Sequence, residues 1–111
     1  MNREETLEAA LDAVSKRRAY GPPRQNFERI ARRWKAHLLN RFDVDVDLDA
    51  ASVAIMCGDV KTARLEESPS HEDSWVDLAG YAACGAEVTA AMPPASASQK
   101  PWWENGGWID G

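Results

Sequence analysis

A chain of 111 residues with 44% apolar and 28% charged residues allows one small folded unit and excludes a second of comparable size. Its net charge of −5 argues against general nucleic-acid binding. No run of about 18 apolar residues and no signal-peptide order stands at the N-terminus, so a cytoplasmic protein without a membrane contact is expected. A domain this small buries its core only marginally, which favours association with further copies of itself.

Glu4 to Arg18 places Leu7, Ala10, Leu11 and Val14 at spacings of three and four, with acids early and bases late. An amphipathic helix aligned with its own dipole is predicted, ending at Tyr20-Gly21-Pro22-Pro23. Asn26 is expected to cap a second helix, in which Phe27, Ile30, Ala31, Trp34 and Leu38 share one face. Its basic residues Arg29, Arg32, Arg33 and Lys35 are expected to form a solvated face.

From Asp43 to Asp49 acids alternate with Val44, Val46 and Leu48, a period of two suited to a short extended segment. A calcium loop is disfavoured, since the turn glycine and the twelfth-position glutamate are missing. The preferred interpretation is a polar connection that ends in an Asp N-cap. The third helix is predicted from Ala50 to Glu66, gathering Val53, Ala54, Cys57, Val60, Lys61, Arg64 and Leu65 on one side. Ser68-Pro69 ends it, and Ser70 with Asp73 three residues later resembles a capping box for a fourth helix that continues to Ala90. That helix is apolar nearly all round, as suits a central or interfacial element. Residues 1–91 are therefore assigned to a helical domain. Residues 92–111 are assigned to a Pro- and Ser-containing linker and a tail with Trp102, Trp103 and Trp108.

Cys57 and Cys84 lack a neighbouring metal-ligand motif and are expected to be small buried hydrophobes. His37 and His71 stand apart from any nucleophile, which leaves surface or capping roles. Four charges interrupt apolar positions: Lys61 and Arg64 in the third helix, Asp73 and Asp77 in the fourth. A charge among apolar neighbours must be paired, hydrated or bound to a ligand. Asp73 and Asp77 lie a turn apart, a separation at which two carboxylates can share magnesium. Asp73 has an alternative role at the helix N-terminus. Lys61 and Arg64 can grip a polyphosphate, or Lys61 can pair with Asp77 across antiparallel helices. Arg17, Tyr20 and Asn26 could receive a nucleoside, with Tyr20 stacking and Asn26 hydrogen-bonding a base edge.

Tyr20-Gly21-Pro22, Asn26-Phe27, Trp34, Lys61-Thr62-Ala63-Arg64 and the run from His71 to Ala82 together resemble a group of small tailed-phage proteins. These in turn resemble the MazG-like all-α nucleotide pyrophosphohydrolases. The resemblance implies an all-α, four-helix MazG-like bundle, dimeric or tetrameric, that uses Mg2+ to split a nucleoside triphosphate into monophosphate and pyrophosphate. In that scheme Asp73 and Asp77 hold the metal. Asp77, Asp73 and Lys61 serve catalysis, and Arg64, Lys61, Tyr20, Asn26 and Arg17 serve the substrate. Only Asp77 matches the family's Glu-x-x-Asp motif directly, and Lys61 and Arg64 stand where the enzymes carry glutamates. Two other functions therefore stay open: a non-catalytic nucleotide binder of the same fold, and an interaction module that recruits a partner through the Trp-rich tail.

Overall fold

The computed structural model describes residues 1–17 and 21–90. Within them the chain forms four helices: α1 (Arg3–Lys16), α2 (Pro23–Phe42), α3 (Ala50–Glu67) and α4 (Glu72–Thr89). The all-α class follows, and the described residues contain no strand. The segment 43–49 is an irregular connection rather than an extended pairing element. Tyr20 and the proposed linker and tail, residues 92–111, lie outside the described residues.

Local chemistry sets each boundary. Asn2 and Glu5 form a reciprocal capping box at the start of α1, satisfying two amides that a helix leaves without partners. The helix ends at Lys16, with Arg17 as its C-cap. Asn26 does not cap α2. Gly21 at φ 89° turns the chain, Pro22 is the extended N-cap and Pro23 opens the helix, where a missing N–H costs nothing. Asn26 is consequently an exposed residue inside the first turns. Asp43 closes α2 in the left-handed region at φ 55°, donating its amide to the Leu38 and Leu39 carbonyls. Asp49 caps α3 as expected, its carboxylate accepting from the Ser52 amide at 2.8 Å. For α4 the cap is His71 instead of Ser70, because the His71 ring, not a serine hydroxyl, reaches the Ser74 amide. The same Nδ1 lies 2.7 Å from the hydroxyl of Ser74, the one buried polar side chain among the described residues. Trp75 Nε1 donates to the Pro69 carbonyl at 2.8 Å and ties α4 back to the α3–α4 turn.

The helices pack unevenly. α3 and α4 form the most extensive contact, α2 lies across both, and α1 touches only α4 among the described residues. The core is Phe27, Ala31, Val53, Ala54 and Val88, with Ile30, Trp34, Cys57, Tyr81 and Cys84 packed around it. Phe27 and Tyr81 bring their rings to 6.5 Å, which anchors α2 on α4. Gly58 and Gly85 let α3 and α4 approach closely: a Cβ on Gly85 would stand 3.3 Å from Ala54 Cβ. Two apolar expectations fail for want of a neighbour. Leu7 and Leu11 are 64% exposed because α1 has a partner on one side only, and Val60 is 66% exposed because it points past the α2 and α4 contacts.

Candidate functional site

The α3–α4 pair carries the charges singled out by the sequence. Lys61 is three residues past Gly58 and half-buried, so it reaches across the close helix contact. Its Nζ meets Asp77 Oδ2 at 3.0 Å. Side-chain exposures of 28% and 38% leave the pair at a solvent edge, neither sealed in the core nor freely hydrated. Such a pair holds helix register and keeps the capacity to exchange partners, because water already meets part of the desolvation cost.

The other predicted residues are distributed around this pair. Arg64 is exposed one turn further along α3, outside the buried stripe where it was expected, and takes part in no ion pair among the described residues. Asp73 is exposed in the first turn of α4, a position the helix dipole favours. Arg17 stands at the other end of α1, and its charge is felt at Cys84, seven residues along α4 from Asp77. Asn26 is exposed on α2 and joins neither Lys61 nor Asp77 through a hydrogen bond. The structure thus brings Lys61 and Asp77 together and leaves Arg17, Asn26 and Asp73 outside that contact.

Both cysteines are free and half-buried. Burial pushes each thiol above its ordinary range; Lys61 opposes this at Cys57, whereas Glu87 adds to it at Cys84. Protonated thiols of this kind pack as small hydrophobes and make poor nucleophiles at neutral pH. His37 is exposed and packs its ring edge-on against Phe42, centroids 6.1 Å apart.

The donor set bears on the magnesium that the resemblance implies. Asp77 is already neutralised by an ammonium, Asp73 is an exposed first-turn acid, and among the described residues no three His, Cys, Asp or Glu side chains gather. One chain in this conformation does not fit a resident magnesium ion, which needs a near-octahedral set of oxygens.

One group of residues carries a signal that composition concealed. Arg24, Arg32 and Lys35 of α2, expected to belong to a solvated face or to none, line a cleft of about 400 Å³ against the start of α3. Their spacing of eight and three residues along one helix was the available clue, since it places all three on one edge. What the sequence lacked was the wall opposite.

A family described as a domain of unknown function, DUF6378, matches residues 5–89. The Gene 55 protein of Mycobacterium phage D29 is 35% identical over 83 residues, covering 73% of this chain and 51% of that protein. The Gene 55 protein of Mycobacterium phage L5 is 37% identical over 78 residues, covering 68% and 47%. The chain therefore spans about half the length of these curated relatives. No solved structure matches. Among the described residues no helix is long and apolar enough to cross a membrane.

Proposed function

We propose, for a chain that belongs to the DUF6378 family and has relatives among mycobacteriophage proteins, that it binds a nucleoside triphosphate beside Lys61 and retains it without a resident metal. The observation that carries this reading is the Lys61–Asp77 pair at 3.0 Å on a solvent edge, with exposed Arg64 one turn away. An incoming phosphate replaces the Asp77 carboxylate on Lys61 and gains the planar donors of Arg64, an exchange between two oxygen anions at a surface that is already wet. Magnesium-dependent pyrophosphate release, the reaction implied by the MazG-like resemblance, is the finer possibility. The paired state of Asp77 favours retention over turnover. Self-association to a dimer or tetramer belongs to the same proposal, with exposed Leu7, Leu11 and Ile55 as apolar surface for it.

The test is incubation with each common nucleoside triphosphate, with magnesium or with chelator, following binding, pyrophosphate and monophosphate together. Binding that survives the chelator and weakens roughly tenfold or more in Lys61→Ala/Arg64→Ala is expected, from the worth of charge-assisted hydrogen bonds. Pyrophosphate released with magnesium and lost in Asp77→Ala would replace the binder with a hydrolase. Unchanged binding in the double variant would remove the site. Light scattering of the purified chain decides its oligomeric state.

A further inference from the structure

Helix α2 concentrates the positive charge of an acidic protein. Of 13 Lys and Arg residues, six stand on it (Arg24, Arg29, Arg32, Arg33, Lys35 and Arg41), against Glu28 as its one acid. Arg24, Arg32 and Lys35 do not simply radiate into solvent. They border the cleft of about 400 Å³ whose far wall is Ala50, Ala51 and Val88. We propose that this cleft is a binding site for a small phosphate-bearing molecule, of a size from pyrophosphate to a mononucleotide.

Three observations carry the assignment. First, among the described residues none of the three cations takes part in an ion pair, although Glu28 and Asp49 border the same cleft. Asp49 is otherwise engaged: its carboxylate accepts the Ser52 amide at 2.8 Å, and that bond holds its pKa below the ordinary carboxylate range. Second, Arg24 is positioned and not spent. Its Nη2 donates to the Val88 carbonyl at 2.8 Å, which fixes the guanidinium on the cleft wall and leaves further N–H groups for an anion. Third, Lys35 is half-buried, its stem lying along the cleft instead of extending freely into solvent, which keeps its ammonium at the site. A phosphate in the cleft is met by the cations of α2.

Size and surroundings select the ligand class. A volume near 400 Å³ lies at the small end of the usual range for small-molecule sites. The connection that leads into the cleft carries exposed Asp43, Asp45 and Asp47, so the backbone of a nucleic acid leaving the site would run onto like charge. A small ligand avoids that clash.

The test is titration of the full chain, uniformly 15N-labelled, with inorganic pyrophosphate and separately with a nucleoside monophosphate, read as amide shifts residue by residue. Saturable shifts centred on Arg32, Lys35, Ala50 and Ala51 are expected. Arg32→Gln/Lys35→Gln should weaken binding at least tenfold with helix content and melting temperature unchanged, while Lys61→Ala/Arg64→Ala leaves these shifts in place. Absent shifts, shifts confined to the surroundings of Lys61 and Arg64, or affinity unaffected in the α2 variant would overturn the assignment. Tighter binding of a short DNA duplex than of pyrophosphate at equal ionic strength would overturn the ligand class. The α2 and α3 variants address different residues, so this site and the nucleotide site beside Lys61 stand or fall separately.

Discussion

Two sets of cations in this protein have opposite fates. Lys61 lies inside an apolar stripe, and the fold meets it with a carboxylate at 3.0 Å, whereas Arg24, Arg32 and Lys35 lie along a polar edge and meet none among the described residues. The contrast inverts the usual expectation. A charge placed among apolar residues has to be compensated before the chain can fold, so its compensation comes from inside the protein. A charge on an edge is under no such demand, and an uncompensated group of them can be completed by a ligand.

Detaching α2 would have the largest effect. Phe27→Ala removes a 6%-exposed ring that packs on Tyr81, and a loss of about 3–5 kcal/mol in chemical denaturation is expected for a truncation of that kind. The α2 cleft should be lost together with stability. A variant with unchanged stability would show that α2 docks by other means.

Next in size is the ion pair itself. Asp77→Ala strands Lys61 at the solvent edge, and a cost of about 1–2 kcal/mol is expected, between the values for exposed and for buried pairs. Lys61→Met, which removes the charge and keeps the packing, should cost less than Asp77→Ala. The reverse order would mean that the ammonium has another partner. Neither change should alter pyrophosphate shifts at the α2 cleft.

A smaller effect is expected at the α2 cleft. Asp49→Ala removes the cap of α3 and should cost about 1 kcal/mol near neutral pH. Because the folded state lowers the pKa of Asp49 below its ordinary 3.8, its contribution is present above that value. It fades as pH falls through the depressed folded-state value, so the difference between wild type and variant should vanish in strong acid. A difference independent of pH would assign the loss to packing instead of the carboxylate. The same variant should tighten anion binding at the cleft, since a bordering negative charge is gone.

Gly85 and Gly58 give the finest probe. Alanine gains roughly 1 kcal/mol of helix propensity over glycine. At Gly58 the new methyl meets the far end of the Leu78 side chain, which can yield, so Gly58→Ala should be neutral or stabilising. At Gly85 it meets Ala54 Cβ at 3.3 Å, and only backbone movement relieves the contact. Gly85→Ala should therefore melt at a lower temperature than Gly58→Ala and loosen the helix contact that brings Lys61 to Asp77.

Much of this was legible in the residue order. The period of Phe27, Ala31, Val53 and Ala54 located their helices and buried faces, Asp49 announced the start of α3, and Lys61 within its stripe marked a charge needing either a ligand or a partner such as Asp77. Capping was less legible where several candidates adjoin. Ser70 and His71 both offer acceptors, and the choice fell to the one whose ring nitrogen reached the Ser74 amide. Asn26 lost its expected role because two prolines can begin a helix without a side-chain cap.

What residue order determined by itself, then, was helix identity and the need to compensate Lys61, since both follow from the local alternation of apolar and charged groups. Tertiary structure alone decided which apolar residues stay uncovered, as with Leu7 and Leu11 on a helix that has a single neighbour. It also decided that three separated cations of α2 face the same wall. Periodicity states which residues share a side of one helix, but only the packing of another element against that side makes it a core, a surface or a cleft.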